Sequence, residues 1–392
     1  MRRADVVVVG GGPAGSSAAW ALVRRGLDVV VIDRQRFPRD KVCAGWITPP
    51  LVHGLELDLG AYARGRVLQP IRGFTVAMED GGETAADFGR VVSYGILRRE
   101  LDHFLLLRSG AELFTGEPLR EIRRDGRRWV VNDRWSAPWV IGAGGHFCPV
   151  ARRIGARPGG AEPMTIRASE MEVPLPPAQR SWAGVDPELP WIRFTRDLRG
   201  YGWVVRKGDW LNVGLGLQGG TAFPRRLEGF LDGLHREGRL PPDVAGALRG
   251  HAYLLHPESP RRVADDGLLL VGDAAGLAFR PSGEGIRPAV ESGMLAAAAI
   301  AAVPGAELAS VARRYEDSLI ARFGPRAGRV RRGPADLLPG PWRAPVIRRL
   351  LASRAFARRV VVGRWFLRQD LPALDPPPEA RPGRLAVAAR SL

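Results

Sequence analysis

The sequence predicts an α/β fold in which a parallel, nucleotide-binding sheet is assembled from separated segments of chain. An antiparallel sheet is inserted between those segments, and a helical tail follows. Two apolar strand–loop–helix units carry this prediction. The first runs Val6-Val7-Val8-Val9 into Gly10-Gly11-Gly12-Pro13-Ala14-Gly15, and the second runs Leu268-Leu269-Leu270-Val271 into Gly272-Asp273-Ala274-Ala275-Gly276. A third observation is the pattern between about residues 165 and 255, where Trp191–Phe194, Tyr201–Val205 and Trp210–Leu217 read as strands of an antiparallel sheet.

Four β-branched residues without polar alternation mark a strand buried on both faces. Gly10, Gly12 and Gly15 have the spacing that lets backbone turn tightly and approach a pyrophosphate. Pro13 and Ala14 open the following helix, since proline at the first helical position gives up no needed amide hydrogen. The free amides and dipole of that helix then face the phosphates. A second strand, Val29-Val30-Val31-Ile32, ends at Asp33, where this motif binds ribose hydroxyls. Two such units at opposite ends of the chain point to one long cofactor held by both, namely FAD.

Composition narrows the class. The 392 residues suffice for two domains with a shared cleft. No apolar run reaches transmembrane length, and Met1–Asp5 reads as a short polar lead into the sheet and not as a signal peptide. Two cysteines, Cys43 and Cys148, give neither a disulfide framework nor metal-ligand spacing, which fits a reducing cytoplasm and no metal. The net charge is +17, yet only Lys41 and Lys207 of the 58 basic residues are lysines. That skew reads as a coding bias towards arginine. No basic face with stacking aromatics accompanies it, so no nucleic-acid partner is expected.

The nucleotide domain is expected to span 1–68, 91–160 and 256–330, the substrate domain 69–90 and 161–255, and a helical, arginine-rich region 331–392. Ile96–Leu107 reads as an amphipathic helix, 119–141 as a small β-meander, and Pro224–Glu237 as a helix interrupting the inserted sheet.

Five elements resemble the FAD-dependent oxidoreductases of aromatic-hydroxylase type (p-hydroxybenzoate hydroxylase-like, with a glutathione-reductase-type, Rossmann-like FAD domain), and within them the geranylgeranyl reductase group. They are the N-terminal loop with Asp33; Phe37-Pro38-Arg39-Asp40-Lys41-Val42-Cys43, like FPRxKxC; and Arg98 with Asp102, like R(x3)D. The others are Tyr201-Gly202-Trp203-Val204-Val205-Arg206-Lys207, like YxWxFPK, and Gly272-Asp273 with Pro281-Ser282-Gly283-Glu284-Gly285-Ile286, like GDAAG followed by PxxGEGI. The resemblance covers about residues 1–300 in the same order.

It implies that Asp273 and Gly272 meet the ribityl and pyrophosphate region and that Pro281 lies beside the isoalloxazine ring. Gly283, Glu284, Gly285 and Ile286 would face the flavin's pyrimidine end at the start of a helix. A positive helix end there stabilises a reduced, anionic flavin. Arg98 would reach the cofactor from the second helix, if it is not one more exposed arginine. Arg34, Lys41, Ala44 and Gly45 complete the cofactor set. Cys43, Tyr201, Trp203 and Lys207 are the catalytic candidates. A cysteine after a cationic loop is either reactive or a small buried hydrophobe, and two aromatics sharing one strand face are either core or pocket wall. Lys41 and Lys207 are candidates for an anionic group on substrate or nicotinamide.

The resemblance implies hydride transfer from reduced flavin N5 to a carbon–carbon double bond of an isoprenoid or other apolar small molecule. The alternative on the same fold is a monooxygenase that hydroxylates or epoxidises an aromatic or polyketide-like product. Gly142-Ala143-Gly144-Gly145 stands where hydroxylases carry GADG. The donor is therefore NAD(P)H or another source, including an electron-donor protein. The family's CGG becomes Cys43-Ala44-Gly45-Trp46 here, and the resemblance implies a pocket reshaped by the bulky Trp46. The basic apolar tail either lies peripherally on an anionic membrane or packs on the domain.

Overall fold

The computed structural model describes the chain except residues 156–164, 220–221, 242–243, 257, 260, 281, 303–306, 327–339 and 380–392, and the side chains of 340–344. The valine strand β1 (Val6–Val9) is followed by helix α1 (Pro13–Val23) and strand β2 (Val29–Asp33). Helix α2 (Arg98–Arg108) leads into β3 (Glu112–Thr115), and β4 (Trp139–Gly142) follows. From the far end of the chain, β5 (Leu268–Leu270) and helix α3 (Ile286–Ala301) return to the same layer. The sheet order is Ala264–Asp265, β5, β4, β1, β2, β3. All pairs are parallel except the short edge strand Ala264–Asp265. Strand β4 thus bridges the two glycine-loop strands, pairing Val140 with both Val7 and Leu268. Burial on both faces explains the unbroken valines of β1.

Helices α1 and α3 pack against one another behind the sheet. A Cβ on Gly293 of α3 would overlap the Ala14 carbonyl of α1. Only glycine lets the two backbones come this close.

The second sheet has eight strands: Ala278–Phe279, Arg249–His256, Thr165–Pro174, Trp210–Gln218, Gly200–Lys207, Trp191–Phe194, Gly73–Met78 and Glu83–Asp87. Its central strands are antiparallel, while Gly73–Met78 and Ala278–Phe279 join it in parallel. Ala278–Phe279 comes from the segment expected to belong wholly to the nucleotide domain. It pairs with Leu255–His256 directly after the second glycine loop, so the loop is anchored to the inserted sheet. The meander is Ile122–Asp125, Arg128–Val131 and Trp135–Ala137, and the N-terminal Arg2–Arg3 pairs in parallel with its last strand.

One face of the inserted sheet carries a buried ion pair. Lys207 is fully buried, and its ammonium donates to Glu172 Oε1 at 2.6 Å and to the Ile96 carbonyl at 3.0 Å. The same face holds an aromatic cluster of Trp46, Phe74, Phe194, Tyr201, Trp203 and Phe366. Trp46 lies edge-on to Phe74 at 5.4 Å and 6.1 Å from Phe366.

Phe366 ends a π-helical stretch, Ala357–Phe366, that follows helix Gly340–Leu351. Leu351, Ala357, Val361, Val362 and Phe366 are buried against the inserted sheet, while Val346 and Leu350 are exposed. The chain then crosses to α3. Arg287, itself fully buried, donates to the carbonyls of Arg368, Leu371 and Pro372, and Arg322 also donates to Pro372. No helix among the described residues is long and apolar enough to cross a membrane.

Two glycines of the helices should respond oppositely to a side chain. Gly293→Val forces α1 and α3 apart and is expected to cost about 1–3 kcal/mol in urea unfolding, with a matching loss of FAD affinity. Gly229→Ala, in a helix position where nothing lies within 4 Å of the new Cβ, should gain about 0.5–1 kcal/mol. Lys207→Met leaves the half-buried Glu172 and the Ile96 carbonyl without their donor and should cost about 1–3 kcal/mol by the same measurement.

Candidate functional site: a flavin cleft between two helix N-termini

Between β1 and α1 the glycine loop is held by its own chain. The Gly11 amide donates to Asp33 Oδ2 at 2.7 Å, and Ser16 Oγ donates to the Gly11 carbonyl at 2.9 Å. Gly10 has φ +117°, and a Cβ there would overlap the Ala143 carbonyl. Helix α1 starts at Gly12 with Pro13 in its first turn, no capping side chain and no acidic residue. Its first amides, including those of Ala14 and Gly15, are therefore available to an anion. Arg39 comes within 3.3 Å of the Cβ position at Gly12. Arg34 lies exposed beyond the end of β2.

The second loop meets the first. A Cβ on Gly272 (φ +60°) would lie 3.0 Å from the Ala14 Cβ, and the Gly272 amide donates to Ser292 Oγ on α3. Asp273 Oδ2 pairs with His251 Nε2 at 3.1 Å. Burial works to raise the pKa of this carboxyl. The His251 hydrogen bond and the charges of His251, Lys41 and Arg98 win, and hold it well below the usual carboxylate range.

The loop then turns back on itself, with the Gly283 amide donating to the Phe279 carbonyl and the Phe279 amide to the Glu284 carbonyl. Gly283 has φ +68°, and its Cβ position is filled by the Tyr253 hydroxyl. Helix α3 begins after Gly285 at Ile286, again without a capping side chain on Gly285. Glu284 Oε1 accepts from the Arg287 amide at 2.8 Å, and burial pushes this carboxyl up to about 7. Pro281 lies outside the described residues.

On the flank, Arg98 is buried and grips Asp102 with two bonds, of 2.8 and 2.9 Å. Asp102 also pairs with Arg39 at 3.1 Å. The carboxylate, with the nearby Cys43, holds Arg98 protonated against the desolvation of its site. Arg98 is thus not an exposed surface arginine. Lys41, half-buried beside Arg98 and Asp273, is lowered to about 8 by burial above all, with Arg98 adding and Asp273 opposing. Ala44 is half-buried, and Gly45 (φ +71°) is buried where a Cβ would overlap the Ile96 carbonyl.

The inserted sheet closes the other side. Tyr201 and Trp203 project from one face of a strand, and the Trp203 indole lies over Gly214 of the next strand, whose missing side chain makes the room it occupies. The Tyr201 hydroxyl donates to the Ser282 carbonyl of the second loop, and burial raises the phenol's pKa well above its usual value. Trp203 is 5 % exposed and donates through Nε1 to Asn212 Oδ1 at 2.6 Å.

Lys207, a catalytic candidate in the sequence, is placed inside the wall: its ammonium bonds Glu172 and the Ile96 carbonyl and is fully buried. Cys43 is half-buried and sits among Lys41, Arg98, Tyr201 and Tyr253. Sequence reasoning missed His251, Tyr253, Glu170 and Asn212. His251 and Tyr253 alternate on one strand, a signal that becomes informative only with their cross-strand partners Ala168 and Ile166.

Two helix N-termini opening on one cleft, that of α1 uncapped, with an ionised Asp273 between them and a cationic flank, fit the pyrophosphate and flavin of FAD. A family model described as FAD dependent oxidoreductase matches residues 5–82. Menaquinone reductase of Mycobacterium tuberculosis is 30% identical over 91% of this chain and 90% of its own. Digeranylgeranylglycerophospholipid reductase 1 of Methanopyrus kandleri is 32% identical, covering 80% and 85%. Geranylgeranyl diphosphate reductase of Rhodobacter capsulatus is 30% identical, covering 75% and 74%.

Among solved structures, a geranylgeranyl bacteriochlorophyll reductase-like protein of Thermoplasma acidophilum superposes with a TM-score of 0.70 at 21% identity, over 92% of this chain and 91% of that one. The flavin-dependent halogenase CmlS shares the fold with a TM-score of 0.67 at 21% identity, covering 91% and 72%. The chain belongs to the geranylgeranyl reductase family of FAD-dependent oxidoreductases.

Proposed function

We propose that this flavoprotein reduces a carbon–carbon double bond in an isoprenoid chain. The observation that carries the reading is the wall beside the second loop. Tyr201 bonds the Ser282 carbonyl and packs at 5.3 Å on Phe366, with Phe194 and Trp203 each 5.9 Å away. An apolar, aromatic surface therefore begins where the loop ends, and half-buried Val42, Ala44 and Tyr253 extend it. Such a surface suits a hydrocarbon chain and excludes water from the reacting bond. The relatives named for menaquinone, geranylgeranyl diphosphate and a digeranylgeranyl lipid support the same class.

When bound and reduced, the flavin supplies hydride at N5. The chain's own residues orient and shield. The N-terminus of α3 and Lys41 favour negative charge on the reduced ring. Burial keeps the phenol protons of Tyr201 and Tyr253 in place at neutral pH. Electrons come from NAD(P)H or another donor. Gly144 sits 3.3 Å, from its Cβ position, from the buried Cys148, so an acid at this position would need Cys148 to give way or its own side chain to turn aside. The cationic tail, with Val346 and Leu350 exposed, suits a peripheral contact with the membrane that would hold a lipid substrate.

The test is anaerobic. FAD-loaded protein reduced chemically should convert a geranylgeranyl lipid to products heavier by pairs of hydrogens, with flavin reoxidised in step. Product that forms only with oxygen, and carries it, would replace this reading by a monooxygenase. Tyr201→Phe, which loses the bond to Ser282, should lower kcat roughly tenfold with a smaller change in KM.

A further inference from the structure

Both backbone groups of Cys43 are held by side chains of the inserted sheet. Its amide donates to Glu170 Oε1 at 2.6 Å, and its carbonyl accepts from Asn212 Nδ2 at 3.2 Å. Asn212 is fully buried and also donates to Glu172 at 3.1 Å, while its own oxygen takes the Trp203 indole hydrogen. Glu170 is 4 % exposed, faces Trp203 across the gap left by Gly214, and has a second oxygen, Oε2, that is buried and makes no hydrogen bond. We propose that Glu170 is a positioning residue for the flavin reaction, fixing with Asn212 the backbone of Cys43 so that segment 41–45 presents its side chains to the cleft. The proposal rests on the reading of this cleft as the reaction site.

Charge accounting supports it. The groups facing Glu170 are Glu172 on its own strand, Asn212 on the neighbouring strand Trp210–Gln218, Lys207 one strand beyond it, Arg249 directly opposite on the other neighbouring strand, and the Cys43 backbone. Arg249 is already paired with Asp40, at the start of the same loop. One ammonium, Lys207, thus serves a buried carboxyl group, Glu170, and a half-buried one, Glu172, and of the two it bonds only Glu172.

Burial pushes Glu170 up to about 7, with Glu172 adding and the Cys43 amide and Lys207 opposing. As an uncharged acid it accepts the Cys43 amide hydrogen without competing for Asn212 or Lys207. Once ionised it is a second buried negative charge that draws both away from their present partners, the Cys43 carbonyl among them. The raised carboxyl favours the fold most below its unfolded pKa, and that advantage is lost as pH rises through about 7.

Glu170→Gln keeps an oxygen for the Cys43 amide and cannot ionise, whereas Glu170→Ala removes the hold. Three readouts on FAD-loaded protein separate positioning from a merely structural role: kcat per bound flavin, its pH profile, and the rate of Cys43 alkylation by iodoacetamide. Cys148 is fully buried, so alkylation reports Cys43. Wild type should lose turnover as pH rises through about 7. Glu170→Gln should match wild type within about twofold near pH 6 and lack that decline. Glu170→Ala should lose roughly tenfold or more in kcat with little change in KM, and its Cys43 should alkylate about tenfold faster. The same decline in Glu170→Gln, an inactive Glu170→Gln with ordinary alkylation, or an unchanged Glu170→Ala would each overturn the proposal. Alkylation requires no substrate, so this arm stands even if the isoprenoid reading fails.

Discussion

The contact between α1 and α3 governs the geometry of the whole cofactor site. Each helix follows a glycine loop from a different end of the chain, and each loop needs its helix N-terminus aimed at the cofactor. Gly293 lets α3 rest on the Ala14 carbonyl, and Gly272 brings the second loop against Ala14 itself. Two helix dipoles, with the uncapped amides of α1, therefore open on one cleft, as a dinucleotide with a charged middle and a polar ring requires. Asp273 can remain ionised there because His251 bonds it and Lys41 and Arg98 supply opposite charge, from three other segments. The sheet order follows from the same demand, with β4 paired between β1 and β5.

Much of this could be read in the sequence because the signals are local. A buried parallel strand is an unbroken apolar run, and the glycine spacing reports backbone proximity directly. Arg98 and Asp102 were legible as a pair because one helical turn places them together, and the structure joins them by two hydrogen bonds. For Lys207, rarity in the sequence says that a lysine is needed without saying for what. Its ammonium sits between Glu172 and the Ile96 carbonyl, against the backbone of Gly45, where a compact point charge can serve both acceptors. His251, Tyr253, Glu170 and Asn212 gain meaning only from cross-strand pairing, which no local pattern encodes.

Buried charge is used sparingly and asymmetrically across the molecule. Asp102 takes two arginines, Glu291 takes Arg287 and Arg322, and Lys207 serves a face with two acids. A buried pair contributes little net stability, but removing one member leaves a charge without solvent or partner. These clusters fix where the loops and the tail lie relative to the sheets and to α3.

Arg287 and Arg322 grip the backbone carbonyls of residues 368–372, and Phe366 seals the aromatic wall just before them. Carbonyls are common to every residue type, so this grip is blind to the tail's side chains. Residues around Phe366 can therefore be exchanged over generations without unfastening the tail from α3. The nucleotide half keeps a constant frame while the hydrocarbon-facing wall remains free to be recast, which gives one scaffold a route to chains of different length and branching.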